Sequence, residues 1–230
     1  DKGVKGAVIW MDQFDGVRVE DNILTAQTGA SLKQVAKKAL RAELSGLEFA
    51  SGIPGSLGGA LYMNAGAYGG EIKDVISQAT CIDYQGQKRT LTPEELKLGY
   101  RESILQDRNL IALQAKFELT KGSYDKIQSE IKELEKKRWA KQPMDKPSAG
   151  SMFKRPADHY AGALIEEAGL KGTQVGGAQV SEKHAGFIIN TGEATAEDIK
   201  QLVAKVQAKV YQESGINLET EPRFIGEFTD

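Results

Sequence analysis

The residues best suited to chemistry in this 230-residue chain lie in one glycine-rich stretch and three short polar pieces. Ser51–Gly70 reads SGIPGSLGGALYMNAGAYGG, with seven glycines in twenty residues against 25 in the whole chain. So dense a run costs backbone entropy. Its usual return is main-chain N–H groups that approach an anion or a flat ligand with no Cβ in the way. Pro54 fixes φ between Gly52 and Gly55, which favours one shape over a slack tether. Ile53, Leu57, Ala60, Leu61 and Met63 can anchor that shape in a core. The plain alternative is a glycine-rich connection packed against a neighbouring helix. Two familiar phosphate loops are excluded. No glycine here is followed by Lys as in G-x-x-x-x-G-K-[ST], and the G-x-G-x-x-G spacing is missing.

The polar pieces are Gly99–Ser103 (GYRES), Lys146–Lys154 (KPSAGSMFK) and Leu218–Ile225 (LETEPRFI), each set in a tight turn or at a strand entry. Each has a structural reading of its own. Arg101 can pair with a surface carboxylate, Ser148 or Ser151 can cap a turn, and Glu221 with Arg223 can form an exposed strand pair. With two histidines, His159 and His184, and one cysteine, Cys81, no zinc spacing and no His-centred nucleophile pattern is present.

The elements that must position these groups read as a globular α+β protein. Hydrophobic residues are 40% and charged residues 27%, enough for a core and without a disordered composition. A net charge of −2 with interspersed signs gives no basic field for nucleic acid or an acidic membrane, and no apolar run reaches membrane-spanning length. A lone Cys81, read as a strand residue in SQATCIDY, and the lack of a charged-then-apolar leader are expected of a cytoplasmic protein.

In order, strands are expected at Ala7–Trp10, Val17–Glu20 and Ile23–Thr28. A helix follows from a Ser31/Gln34 capping box to about Leu44, with Leu32, Val35, Ala36, Ala39 and Leu40 on one face. Val75–Tyr84 and Lys88–Leu91 form a hairpin, Thr92-Pro93 opens a short helix with Glu95 at N3, and Leu110–Leu119 is a strand. Asp125–Lys141 is a charged helix, and Pro143 and Pro147 bracket a domain boundary. A helix at Tyr160–Ala168, strands at Gln174–Val180 and Gly186–Asn190, and an amphipathic helix from Thr195 to Gly215 follow. A last strand is expected at Pro222–Phe228.

Taken together, GIPGSLGGALYMNAGAYGGEI, GYRES, PSAGSMFKRP, AGALIEEAGLKG, GGAQVSEKHAGFIIN and LETEPRFIG resemble the UDP-N-acetylenolpyruvoylglucosamine reductases, flavoenzymes of peptidoglycan precursor synthesis. The pieces fall in family order over almost the whole chain. With no extra segment between GYRES and PSAGS, they resemble the shorter, Gram-positive-type branch. The resemblance implies an FAD-binding α+β domain of the vanillyl-alcohol-oxidase/PCMH type at 1–147, with 216–230 returning to it, and a small α+β substrate domain at 148–215. It places Gly52, Ile53, Pro54, Gly55 and Ser56 by the flavin pyrophosphate and ring, with Asn64, Gly66, Ala67 and Tyr68 nearby.

The resemblance also implies the reaction. Hydride passes from NADPH to FAD and on to C3 of the enolpyruvyl double bond of UDP-N-acetylglucosamine enolpyruvate, giving UDP-N-acetylmuramate. Arg101 then holds the substrate carboxylate, Glu221 donates to the developing enolate, and Ser151 gives C2 its proton. Tyr100, Lys154, His184 and Arg223 are implied contacts for substrate carboxylate or diphosphate, with His184 equally readable as a hydrogen-bonded packing residue. The family carries a further N-terminal lobe, ending in a G-x-G-S-N-like loop just before the D-x-G that stands here as Asp1-Lys2-Gly3. The resemblance therefore implies weak or absent flavin for the chain as given. Two other readings are a flavin-linked oxidase of another small substrate, and a chain that binds UDP-sugar without turnover.

Overall fold

A computed structural model describes residues 3–106 and 109–226, which divide into two units, Val8–Lys137 and Arg138–Asp230 with Asp1–Ala7. In the first unit, β1 (Val17–Glu20) and β2 (Ile23–Gln27) make a hairpin about Asp21. Then comes α1 (Leu32–Arg41), its buried Leu32, Val35, Ala36 and Ala39 spaced for one helical face. Ser31 Oγ accepts the Gln34 N–H at 3.1 Å, so the cap forms. The reciprocal half of the expected capping box does not, because Gln34 Nε2 donates to Asp15 O at 3.2 Å instead.

The short strand β3 (Leu44–Ser45), helix α2 (Leu57–Tyr62) and the two-residue strands β4 (Gly66–Ala67) and β5 (Gly70–Glu71) carry the chain through the glycine stretch. Strands β6 (Ile76–Asp83) and β7 (Lys88–Leu91) form the expected hairpin over Gly86, which has φ +83°. Helix α3 (Pro93–Leu96) starts with a complete Thr92/Glu95 capping box and Pro93 in its first turn. Strands β8 (Leu110–Glu118) and β9 (Thr120–Lys121) follow, then α4 (Tyr124–Lys141). One antiparallel sheet, ordered β1-β2-β8-β6-β7, buries Leu24, Ala79, Cys81, Ala115 and Phe117 in a core shared with α1 and α2. Burial there pushes the Cys81 thiol up to about 11.

In the second unit, β10 (Ser148–Ser151) is followed by α5 (Ala161–Glu167), β11 (Gln174–Val175), β12 (Ala178–Val180), β13 (Phe187–Asn190) and α6 (Ala196–Ser214). The antiparallel sheet runs β10-β13-β12-β11. Helix α6 opens on a Thr195/Asp198 capping box and closes on Gly215 at φ +72°. It buries Leu202, Val203, Val206 and Val210 in a core with Ile165, Val180 and Ile188.

Four sequence expectations change. Ala7–Trp10 is not a strand: no ladder forms among the described residues, and Val8, Ile9 and Trp10 are 74%, 71% and 78% exposed. Apolar character alone makes no strand without a neighbour to pair with. Gln174–Val180 is two strands, because Gly176 (φ +50°) and Gly177 turn the chain back on itself. The last strand does not form at its described positions 222–226, and the segment pairs only before them, through one bridge of Phe153 with Thr220. Its positions 227 and 228 lie outside the described residues. Finally, the glycine stretch contains a helix, α2, which the reading of the sequence did not include. Among the described residues no helix is long and apolar enough to cross a membrane.

Candidate functional site

The glycine loop Gly52–Ser56 is held by its flanks. Ile53 N–H donates to Ala50 O at 3.1 Å, Leu32 N–H to Gly55 O at 3.0 Å, Leu57 N–H to Ala30 O at 2.8 Å and Gly58 N–H to Thr28 O at 2.8 Å. Ser56 then caps α2, its Oγ accepting the Gly59 N–H at 3.3 Å. Between these anchors Pro54 and Gly55 are exposed. Gly55 has φ +122°, and a Cβ built there would meet no heavy atom within 4 Å. The loop is thus a fixed stretch of bare backbone facing open space, which is what a flat or anionic cofactor needs for close approach. Gly52 is half-buried at its start.

The β4–β5 hairpin packs against the turn that precedes this loop: a Cβ on Gly70 would fall 2.7 Å from the Phe49 ring. Gly66 is excluded from carrying a side chain by Gly70 O and Glu71, so its bareness serves the hairpin itself. Ala67 is half-buried, and at the tip Tyr68 stands 45% exposed with φ +55°, an aromatic face open to a planar ring. Asn64 differs from the expectation of a ligand contact. It is 1% exposed, and its side chain is spent on the fold. Nδ2 donates to Glu71 Oε2 at 2.8 Å and Gly99 O at 2.9 Å, while Oδ1 accepts the Lys73 N–H at 3.0 Å.

GYRES is a two-residue turn closed by Gly99 N–H to Glu102 O at 3.1 Å and Glu102 N–H to Gly99 O at 3.3 Å. Tyr100 and Arg101 occupy its tip, Arg101 at φ +56° with its guanidinium 5.0 Å from the Tyr100 ring centroid. Ser103 Oγ and Gln106 Nε2 both donate to Tyr62 O, at 2.8 and 2.7 Å, and Gln106 Nε2 also reaches Arg101 O at 2.9 Å. Glu71, paired with Lys73 at 2.9 Å, is held below its ordinary carboxylate value of 4.5. Lys73 is the chief cause, and Asn64 and the charge of Arg101 add to it. Glu71, Lys73 and Gln106 are supporting residues that reading the sequence passed over.

In the second unit PSAGS is a β-bulge. Ser148 faces Ile189 and Ser151 faces Phe187, so β10 takes three steps where β13 takes two. Gly150 absorbs the extra residue at φ +83°, and its N–H leans on Ser148 Oγ at 3.4 Å, which makes Ser148 the turn residue. Beyond the bulge the strand pairs with the LETEP segment: Lys154 N–H donates to Glu219 O at 2.8 Å and Glu221 N–H to Met152 O at 3.0 Å. Phe153 therefore bridges Thr220 and Glu221 falls opposite Met152, one position from Ser151; Ser151 and Glu221 are both half-buried. The Lys154 ammonium pairs with Glu219, and Arg223 lies past the bridge on exposed chain. His184 packs edge-on to Phe187 with ring centroids 5.0 Å apart, and its Nδ1 accepts the Gly186 N–H at 3.1 Å. A Cβ on Gly162 or Gly186 would come within 3.2 or 3.0 Å of its ring. Burial, the chief cause, lowers the His184 pKa below 6.5 and favours the neutral ring. Of the two readings open for His184, the structure displays the packing one. Among the described residues no cluster of His, Cys, Asp or Glu could hold a metal.

Comparison with known proteins adds the following. A family profile described as FAD binding domain matches residues 1–92, and one described as UDP-N-acetylenolpyruvoylglucosamine reductase, C-terminal domain, matches residues 142–225. The UDP-N-acetylenolpyruvoylglucosamine reductase of Lactococcus lactis subsp. cremoris (strain MG1363) is 48% identical over 99% of this chain and 76% of its own length. That of Agathobacter rectalis is 51% identical over 99% of this chain and 77% of its own. A crystal structure of UDP-N-acetylenolpyruvylglucosamine reductase from Thermus caldophilus matches with a TM-score of 0.81 at 35% identity, covering 93% of this chain and 76% of that one.

Proposed function

The chain belongs to the UDP-N-acetylenolpyruvoylglucosamine reductase family, and from that premise we propose that it reduces UDP-N-acetylglucosamine enolpyruvate to UDP-N-acetylmuramate, with FAD as cofactor and NADPH as reductant. The reading is carried by one observation: the identity of about half spans both the bare-backbone loop and the bulge that carries Ser151. No observation favours an oxidase of another substrate, since the relatives bear the reductase name along the length of the chain. The reaction is assigned to the cytoplasm, in keeping with a single cysteine that is free and buried.

The residues present fit a flavin. Gly52–Ser56 would receive it on exposed backbone, the Ile53 N–H being already spent on Ala50 O and Pro54 having none, and Ala67 and Tyr68 would lie along it. When bound, the flavin supplies the hydride that adds to C3 of the substrate. The chain manages the charge that results at C2 and its carboxylate. Arg101, always cationic, holds the carboxylate bidentately. Glu221 faces the developing enolate oxygen and donates to it only when it carries a proton, and Ser151 Oγ–H delivers the proton that completes C2. One hydride at C3 and one proton at C2 balance the reduction. Lys154, Tyr100 and Arg223 remain candidates for the anionic parts of the substrate, the first already neutralised in part by Glu219.

The test is Ser151→Ala in the flavin-loaded protein, followed by stopped-flow absorbance. Reoxidation of reduced flavin by substrate should slow by about 10²-fold or more, the range of general acid catalysis, while reduction by NADPH keeps its rate. Equal loss in both half-reactions would remove Ser151 as the donor.

A further inference from the structure

Resting on the reading of Arg101 as the group that holds the substrate carboxylate, we propose that Asn64 is a positioning residue for Arg101, acting through the main chain of the Gly99–Glu102 turn.

Arg101 occupies a left-handed conformation, φ +56°, that disfavours any residue with a Cβ, so its turn persists only if the surroundings fix it from outside. Both of its ends are tied to the C-terminal end of α2. At the start, Asn64 Nδ2 grips Gly99 O at 2.9 Å. At the finish, Gln106 Nε2 joins Arg101 O at 2.9 Å to Tyr62 O at 2.7 Å, and Ser103 Oγ adds a second bond to Tyr62 O at 2.8 Å. Asn64 cannot drift, because its other two bonds, to Glu71 Oε2 at 2.8 Å and from Lys73 N–H at 3.0 Å, clamp the amide against β5 and the turn that follows it. The same side chain therefore ties the hairpin that carries Tyr68 to the turn that carries Arg101.

An aspartate here would keep the acceptor for Lys73 but set a carboxylate oxygen against two acceptors, Gly99 O and Glu71 Oε2. The grip on the turn would become a repulsion. Asn64→Asp is thus nearly isosteric and mechanistically opposite. Asn64→Gly is the companion variant, removing the side chain at a backbone angle, φ +41°, that glycine adopts freely.

The experiment is a double-mutant cycle in the flavin-loaded protein, with Asn64→Asp and Asn64→Gly each made alone and on an Arg101→Ala background. Alone, each should slow flavin reoxidation by substrate about 10²-fold, the cost of misplacing a catalytic group by an ångström, and slow reduction by NADPH far less. On the Arg101→Ala background each should add no more than about threefold, because the group it positions is gone. Hydrogen exchange at the Glu102 amide, measured without substrate, should quicken in both variants. Full multiplication of the two effects, equal loss in both half-reactions, or unchanged exchange at Glu102 overturns the proposal. Near-normal turnover in Arg101→Ala overturns the underlying reading of Arg101 and the proposal with it, an outcome distinct from the others.

Discussion

Gly150 is where the geometry of the second unit bears most directly on chemistry, and Gly150→Ala separates two effects that usually come together. A Cβ built there meets nothing within 4 Å, so no collision contributes. What remains is the backbone. At φ +83° an L-residue costs roughly 1–2 kcal/mol, and the stiffer unfolded chain returns about 0.4–1 kcal/mol, which leaves a net loss of about 1 kcal/mol. With a urea dependence of roughly 1–3 kcal/mol/M, the unfolding midpoint should fall by roughly 0.3–1 M. Gly169, at φ +70° just past α5, is equally open, so Gly169→Ala should cost the same.

The two variants must part company in function. Strain at Gly150 has an escape that strain at Gly169 lacks: β10 can shed its extra residue by slipping one position against β13. Since side chains alternate with period two, such a slip carries Ser151 to the other face of the sheet. Gly150→Ala should therefore slow flavin reoxidation by substrate, by about 10²-fold if Ser151 moves by an ångström, while Gly169→Ala leaves it unchanged. Paired urea titrations and stopped-flow traces on the flavin-loaded protein decide it. If both alanines slow the reaction alike, or if Gly150→Ala loses stability but keeps its full rate, the bulge is not what aims Ser151. If the midpoint does not fall at all, the left-handed backbone assigned to Gly150 is wrong.

Arg101→Lys keeps the charge but breaks the two-pronged grip, and losing one charged hydrogen bond at about 1.5–3 kcal/mol should lower kcat/KM roughly ten- to hundredfold; unchanged steady-state kinetics would take Arg101 out of the mechanism. His184 gives a pH dependence of known sign. Its native pKa lies below 6.5, so as the pH falls through that value the unfolded chain takes the proton first. The stability it contributes is full above 6.5 and is lost as pH falls through the lowered native value. His184→Asn, which can still accept the Gly186 N–H, should flatten the acid side of a plot of urea midpoint against pH, and an unaltered slope would contradict the assignment. Cys81, fully buried with its thiol at about 11, should resist a thiol reagent at pH 8 until urea unfolds the first unit; rapid labelling of the native protein would refute that burial.

What was legible in the sequence was local. The Thr92 and Thr195 capping boxes and Gly215 announce helix ends through residues three or four apart, and all appear where expected. Helix α2 was hidden because Gly58 and Gly59 lower its intrinsic propensity. It forms because Leu57, Ala60 and Leu61 are buried, a tertiary gain that outweighs the local preference. Ala7–Trp10 fails in the opposite sense: strong strand composition, and no neighbouring strand among the described residues to satisfy it. At the candidate site the sequence named the groups proposed to touch a ligand, Arg101, Ser151 and Glu221, through the resemblance they help to carry. It could not name what holds Arg101. Asn64 and Gly99 are 35 positions apart, and Gln106 and Tyr62 are 44 apart, so no period or cap links them.

Backbone strain sharpens the distinction between residues a fold needs and residues a reaction needs. Among the described residues eight non-glycine positions have positive φ: Asp21, Glu43, Asn64, Tyr68, Lys97, Arg101, Asp158 and Glu193. Asp and Asn tolerate this region through their short polar side chains, so Asp21, Asn64 and Asp158 require little explanation. Glu43, Lys97 and Glu193 are exposed, and the strain there ends with the turn it belongs to. Tyr68 and Arg101 are different. Tyr68 bears a second penalty, an aromatic residue left nearly half exposed at the tip of a glycine hairpin. Arg101 is half-buried in a turn bolted at both ends by Asn64 and Gln106. Glycine would fold more easily at either position, at a saving of roughly 1–2 kcal/mol. Strain by itself therefore marks only turns. Strain at a bulky side chain, kept where glycine is cheaper and braced by side-chain bonds from distant residues, marks positions whose side chains are required for something other than folding, and in the first unit that criterion selects Arg101.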